Sequence, residues 1–317
     1  MNKGKVLFID SAHISFSERL TDLGFECETI NNLTYQQLLT KAEDYVGFVI
    51  RSRFAIDVPM INAAKQLKFI ARIGAGMENI DVEYARKNNI ACINSPEGNA
   101  DAVSEFVIGA LLTFFRNIIQ ANTQVRQGIW LREENRGIEL NTKIIGIVGY
   151  GNMGKCLAKK MNALGCRVLA YDKYKTNFAD QYAQEVTLET LQANADIVSV
   201  HINYTPENFY FINRDFISNF AKTIYLVNTS RGKVLNTNDI VKLLNERKII
   251  GAILEVLEYE DIRLQNKPKE QWDNAMNNLA NNENVLLSPH IAGQTRESLT
   301  KHVDVLINKL QQLSFMQ

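Results

Sequence analysis

Three residues in this chain have the types and placement to run an acid–base reaction on a small carboxylic acid. Arg231 lies in Asn228-Thr229-Ser230-Arg231-Gly232, just past the apolar run Ile224–Val227. His290 lies in Ser288-Pro289-His290-Ile291-Ala292-Gly293, just past the apolar run Val285–Leu287. Glu260 follows a third run, Ala252–Leu254. A guanidinium holds a carboxylate by two parallel hydrogen bonds. An imidazole can take a hydroxyl proton as hydride leaves, or return it. A carboxylate beside that imidazole stabilises its charged form. Each residue also has a plainer alternative: Arg231 in a surface ion pair, Glu260 as a solvated loop acid, His290 as a capped loop residue. Spacing alone leaves the choice open.

A second signal is Gly149-Tyr150-Gly151-Asn152-Met153-Gly154. A GxGxxG is weak by itself. Here it follows the predicted strand Ile144–Val148 and opens a predicted helix, Asn152–Leu164, whose Met153, Cys156, Leu157, Met161 and Leu164 form one stripe. In that context the glycines permit a tight turn, close approach of a pyrophosphate and close helix–strand packing, and the helix N-terminus offers free N–H groups to the anion. Asp172, at the end of the next predicted strand, is placed to accept hydrogen bonds from the adenosine ribose hydroxyls and to repel a 2′-phosphate. NAD is the expected cofactor, although the adjacent Lys173 leaves some room for NADP.

The elements that must position these residues read as strands alternating with helices. Apolar strands are predicted at 5–9, 46–50, 69–73 and 90–93, with helical stretches at 17–22, 35–42 and 82–88 between them. After Asn99 a long apolar helix carries Val103, Phe106, Val107, Ala110, Leu111 and Phe114 at three- and four-residue spacings. A second series of strands runs 144–148, 168–171, 197–200, 224–227, 252–254 and 285–287. Such alternation means parallel sheets covered by helices, an α/β fold in which ligands bind outside the carboxyl ends of the strands. Only 261–283, polar and Asn-rich, reads as a surface excursion. A last amphipathic helix follows His290.

Composition limits the partners. The chain has 317 residues, 46% of them hydrophobic, enough for about two packed domains. Basic and acidic residues both number 35, so no positive excess exists to neutralise a nucleic-acid backbone. The most apolar segment, Phe106–Phe115, is too short to span a bilayer, and the N-terminal run Val6–Ile9 is too short for a secretory signal. Cys27, Cys92, Cys156 and Cys166 form no CxxC pair and sit among apolar residues, which reads as buried free thiols rather than disulfides or a metal site. The expected setting is cytoplasmic, with no nucleic acid, membrane or metal involved.

The chain resembles the D-isomer-specific 2-hydroxyacid dehydrogenases, particularly the phosphoglycerate dehydrogenase branch, over nearly its whole length. The landmarks are Arg51-Ser52-Arg53, Gly74-Ala75-Gly76-Met77-Glu78-Asn79-Ile80-Asp81, Asn94–Asn99, Val103-Ser104-Glu105, the glycine loop, Val227–Gly232, Gly251–Glu260 and Ser288–Gly293. The resemblance implies two lobes of related Rossmann-like fold. A cofactor lobe at 99–293 is inserted into a substrate lobe formed by 1–98 and completed by 294–317. It implies Arg231 as the carboxylate binder, His290 as the acid–base and Glu260 as its partner. It places backbone N–H groups around Ala75 and Gly76 against the substrate carboxylate, Thr229 and Glu255 against the cofactor, and Arg51, assisted by Arg53, against a substrate phosphate. It also implies a homodimer joined through the helix after Asn99.

The expected reaction is therefore hydride transfer between NAD(H) and a D-2-hydroxy acid or 2-keto acid, with 3-phosphoglycerate oxidised to 3-phosphohydroxypyruvate in serine synthesis. Glyoxylate or hydroxypyruvate reduction, or another D-2-hydroxy acid, is the alternative, and an NAD-sensing binding protein is an alternative of another class. The sequence departs from the family at Glu255, where Asp is usual and lies near the nicotinamide amide, at Asp261 in place of Pro, and at Ile202-Asn203 in place of Leu-Pro. The regulatory C-terminal domains common in phosphoglycerate dehydrogenases are expected to be lacking, since the sequence stops at Gln317.

Overall fold

A computed structural model describes residues 3–30, 32–261 and 267–316. Its contacts divide the chain into two compact units. One comprises residues up to Asn99 together with those from Gln294 on; the other comprises Ala100–Glu260 and the later stretch ending at Gly293.

The first unit is a parallel sheet covered on both faces. Its strands are β1 (Lys5–Phe8), β2 (Glu26–Thr29), β3 (Tyr45–Ile50), β4 (Phe69–Arg72) and β5 (Ala91–Asn94), in the order β2-β1-β3-β4-β5. Its helices are α1 (Ile14–Asp22), α2 (Tyr35–Lys41), α3 (Val58–Ala63), α4 (Val82–Lys87) and, after the second unit, α12 (Arg296–Gln311). β3 is buried at every residue, as a strand with helices on both sides must be. The two-residue period of a strand sorts β1 between the layers. Leu7 joins Leu38, Met60, Ile61 and Ala85 beneath α2, α3 and α4. Val6 and Phe8 join Phe16 and Leu20 of α1 and Val303, Leu306, Ile307 and Leu310 of α12. Helix starts are fixed by side-chain caps: Thr34 with Gln37, Asp57, Asp81, and Thr295 with Ser298.

The second unit opens with α5 (Ala100–Phe115) and α6 (Ile118–Arg126), separated by Asn117 in the left-handed region. Then follow β6 (Ile144–Val148), α7 (Asn152–Ala163), β7 (Arg167–Tyr171), β8 (Gln184–Glu185), α8 (Leu188–Asn194), β9 (Ile197–Val200), α9 (Arg214–Ser218), β10 (Ile224–Asn228), α10 (Thr237–Asn245), β11 (Ile249–Leu254), α11 (Asn274–Ala280) and β12 (Val285–Leu287). All strands are parallel, in the order β12-β11-β10-β9-β6-β7-β8. The chain moves outward from β6 toward β7 on one side and β9 on the other. The carboxyl end of β6 is therefore the topological switch point, where an open sheet of this kind holds its ligand. α5 and α7 cover one face with Val107, Leu111, Leu157 and Met161; α8, α9, α10 and α11 cover the other with Leu191, Phe216, Ile240 and Leu279.

Two expectations need correction. The polar stretch 261–283 is more than a surface excursion, because α11 buries Ala275, Met276 and Leu279. Among the cysteines, all of them free thiols, only Cys166 is buried and the other three are half-buried.

Candidate active site

The glycine loop shows a separate steric reason at each glycine. Gly149 has φ +97, donates its N–H to the Tyr171 carbonyl at 2.8 Å, and would place a Cβ 2.6 Å from the His201 carbonyl oxygen. Gly154, in the first turn of α7, would place a Cβ 2.1 Å from the Gly149 carbonyl oxygen. Gly151, the N-cap of α7, has open space where its Cβ would be. Two glycines thus let the loop and helix close on each other, and the third leaves a gap beside free helix N–H groups into which a pyrophosphate fits.

Asp172 follows β7 and shapes its surroundings. One carboxylate oxygen accepts the Tyr150 N–H at 2.8 Å; the other accepts the N–H groups of Tyr174 at 2.9 Å and Lys175 at 3.2 Å. Lys173 points its ammonium at Glu207, 3.2 Å away, so the cation beside Asp172 is partnered by another carboxylate. The Thr229 hydroxyl, at the carboxyl end of β10, is buried with no protein partner. Sequence reasoning missed two similar hydroxyls, Thr205 beyond β9 and Ser288 after β12. A lone Ser or Thr carries no spacing signal. Open space at Gly151, a carboxylate at Asp172 and unpaired hydroxyls along one sheet edge fit a dinucleotide.

The ends of β10, β11 and β12, neighbours in the sheet, carry the three reactive residues. Asn228 sets the first loop by accepting the Ser230 N–H at 3.0 Å and donating its amide to the Arg231 carbonyl at 3.1 Å. The Arg231 guanidinium is half-buried and donates to the Ser230 carbonyl at 2.7 Å. Gly232 packs so closely that a Cβ would lie 2.0 Å from the Leu257 carbonyl, which ties the Arg231 loop to the Glu260 loop. Glu260 accepts the Leu257 N–H on Oε1 at 2.5 Å and meets His290 Nδ1 with Oε2 at 2.6 Å. Their side chains are 13% and 20% exposed respectively, shielded but reachable. With Nδ1 facing the carboxylate, Nε2 is the ring atom left to exchange a proton. His290 itself sits at φ +56.

Glu255 is 1% exposed, and its Oε1 accepts the Ala292 N–H at 2.8 Å, which ties one carboxylate oxygen to the loop that carries His290. Burial pushes its carboxyl up to about 7 against the pull of the Ala292 N–H and His290. His201, just past β9, is kept neutral: burial pushes it down to about 4, and its Nε2 lies 2.8 Å from the Ser199 hydroxyl.

In the first unit, Asp10 anchors the turn after β3 by accepting the Arg51 N–H at 2.6 Å and the Arg53 N–H at 3.3 Å. The Arg51 side chain reaches the Gln294 amide oxygen at 3.3 Å. Arg53 behaves differently. Its terminal nitrogens donate to the Ile9 and Leu33 carbonyls at 3.2 and 2.9 Å, and its guanidinium lies 5.1 Å from the Phe54 ring centre. Arg53 thus braces its own unit through two of its guanidinium donors. Gly74, at φ +127, starts the Ala75–Gly76 loop and donates its N–H to the Ser95 hydroxyl at 3.0 Å. That hydroxyl lies 2.8 Å from Nδ1 of buried His302 on α12. Asn94 donates to the Ala75 carbonyl at 2.6 Å, which holds the loop from the other side.

Comparison with known proteins agrees with this geometry. Residues 108–292, more than half of the chain, match the family model described as D-isomer specific 2-hydroxyacid dehydrogenase, NAD binding domain. A D-3-phosphoglycerate dehydrogenase from Methanocaldococcus jannaschii is 32% identical over 297 residues, covering 93% of this chain but 54% of that protein. The chain thus spans about half the length of such relatives. A hydroxypyruvate reductase from Thermotoga maritima is 30% identical over 282 residues, 89% of each chain. A crystal structure of D-lactate dehydrogenase from Aquifex aeolicus, complexed with NAD and lactic acid, superposes with a TM-score of 0.81 at 25% identity, covering 96% of this chain and 94% of that one. The chain belongs to the D-isomer-specific 2-hydroxyacid dehydrogenase family, and NAD is its cofactor.

Proposed function

We propose that the protein is an NAD-dependent dehydrogenase that interconverts a D-2-hydroxy acid and its 2-keto acid. The observation that carries this reading is the Glu260–His290 pair at 2.6 Å, with Arg231 on the adjoining strand end. Bound NAD supplies the hydride acceptor. Arg231 grips the substrate carboxylate and orients the reacting carbon. His290 Nε2 takes the hydroxyl proton during oxidation and returns it during reduction, and Glu260 holds the ring and stabilises the imidazolium formed. A binding-only role would need no such proton-transfer pair, so turnover separates this reading from that of an NAD sensor.

For the substrate, we propose 3-phosphoglycerate, placing the enzyme in serine synthesis within the cytoplasm. Support comes from Arg51, a cation at the end of β3, and from the phosphoglycerate dehydrogenase of M. jannaschii. A phosphate carries about −1.5 to −2 charge and favours a guanidinium. Hydroxypyruvate or glyoxylate is the second reading, favoured by the match to the T. maritima hydroxypyruvate reductase over 89% of both chains. We also propose a homodimer. Ile118, Ile119, Val125, Ile129 and Trp130 are exposed along α6 and the segment after it, an apolar strip that a second copy would cover. No single helix among the described residues is long and apolar enough to cross a membrane.

The test is catalytic efficiency for NADH oxidation with 3-phosphohydroxypyruvate, hydroxypyruvate and glyoxylate, in the parent and in Arg51→Ala. The proposal expects the parent to favour the phosphorylated compound and the substitution to impair that compound selectively. A parent preferring hydroxypyruvate or glyoxylate, or an equal loss on all three, rejects the phosphate site. No turnover on any 2-keto acid rejects the dehydrogenase reading.

A further inference from the structure

Glu255 is the most deeply buried carboxylate among the described residues, and none of the steps above uses it. Three contacts lock it in place. Its N–H donates to the Asn228 carbonyl at 3.1 Å, its own carbonyl accepts the His290 N–H at 3.0 Å, and Oε1 accepts the Ala292 N–H at 2.8 Å. One residue thus grips the His290 loop both through its main chain and through its side chain, on either side of Ile291. The loop needs such a grip, because His290 sits at φ +56, a conformation that costs a non-glycine residue free energy and persists only when its surroundings over-determine it.

We propose that Glu255 is a positioning residue, a clamp whose carboxylate fixes the loop 290–292 and thereby the aim of the His290 ring. The proposal rests on the proton-transfer role given to His290 above. The charged groups facing the carboxyl are His290, which favours its ionised form, and Glu260, which opposes it; the Ala292 and Ile291 N–H groups also favour the ionised form. Length matters as much as charge. An aspartate here, one methylene shorter, would fall short of the Ala292 N–H, whereas a glutamine keeps both the length and an acceptor oxygen. A misplacement of about 1 Å at a reacting group can cost on the order of a hundredfold in rate.

The test uses the full chain with two substitutions, Glu255→Asp and Glu255→Gln. The first readout is the backbone amide resonance of Ala292 as a function of pH, with no substrate present. The clamp expects it to titrate with a midpoint near 7 in the parent and to be flat in Glu255→Gln. The second readout is kcat, measured beside the NADH dissociation constant from fluorescence. The clamp expects Glu255→Asp to lower kcat by about ten- to a hundredfold with NADH affinity within about twofold, and Glu255→Gln to recover most of that loss. An Ala292 amide that does not titrate overturns the clamp. So does a Glu255→Asp variant that binds NADH more weakly at unchanged kcat, since that pattern belongs to a cofactor contact. If the parent turns over no 2-keto acid, the amide titration still decides the clamp, while the dehydrogenase reading fails separately.

Discussion

His302 gives the first unit a specific weakness to acid. It lies on α12, 6% exposed, with Nδ1 2.8 Å from the Ser95 hydroxyl and 3.0 Å from the Ser95 carbonyl oxygen. A carbonyl can only accept, so the neutral ring with a proton on Nδ1 satisfies the site. Burial pushes the imidazole down from 6.5 to about 4, with Arg51 and Arg72 acting in the same direction and the bond to Ser95 opposing. The sign follows directly. The unfolded chain takes up the proton as pH falls through 6.5, while the folded chain resists until about 4. Stability is therefore lost across that window and nowhere above it. In full, a displacement of this size corresponds to about 3–4 kcal/mol, a large share of a typical domain's total. The perturbation is His302→Gln, which cannot titrate. Both tryptophans, Trp130 and Trp272, lie in the second unit, so tryptophan emission would miss the effect. Hydrogen exchange of β3 and β4 amides between pH 7 and 4.5, corrected for intrinsic rates, reads the first unit. The parent should lose about 2–3 kcal/mol relative to His302→Gln over that range. Parallel pH dependence in the two proteins would refute the assignment of His302 as a buried neutral imidazole.

The other expectations concern the second unit. Arg231→Lys keeps the charge but not the two-pronged geometry, and should cost about 2–4 kcal/mol in kcat/KM for a 2-keto acid; near-normal kinetics would remove Arg231 from carboxylate binding. Glu260→Gln should lower kcat at least about tenfold in the parent and have little further effect in a His290→Ala background, because the two side chains act as one unit; additive losses would separate them. Asp172 should make NADH the better cofactor by kcat/KM, since a 2′-phosphate would meet its carboxylate with Lys173 already paired to Glu207; equal or better efficiency with NADPH would contradict this.

The glycine loop was legible in the sequence because three glycines at that spacing, set between the β6 strand and the α7 helix, serve few purposes besides cradling a pyrophosphate. The apolar strands were legible for a similar reason: a strand buried on both faces has almost no choice of residue. β2, with its burial only partial, and β8, two residues long, offered no such run. α11 was hidden because three buried side chains among asparagines make a weak stripe. Site residues divide along the same line. Arg231, Glu260 and His290 follow strand ends, so the fold itself gathers them. The contacts of Arg53 and Glu255 were not legible, because their partners, the carbonyls of Ile9 and Leu33 and the amide of Ala292, are main-chain groups that carry no residue-type signal. Sequence types cannot distinguish a guanidinium aimed at a phosphate from one aimed at a carbonyl.

The discontinuity of the first unit bears on how the chain folds during synthesis. Phe16, Leu20 and Phe69 are covered by Val303, Leu306, Ile307 and Leu310 of α12, which follow Asn99 by about two hundred residues. At about 5–20 residues per second, the ribosome takes roughly ten to forty seconds to supply them. Throughout that interval the nascent β1–β5 segment presents one apolar face covered only in part, by α1, while the intervening unit, nearly continuous in sequence, can collapse as soon as it emerges. The stretch made before the second unit is therefore finished after it, and it is the natural client for a holding chaperone. Circular permutation that places α12 ahead of β1 would abolish the wait.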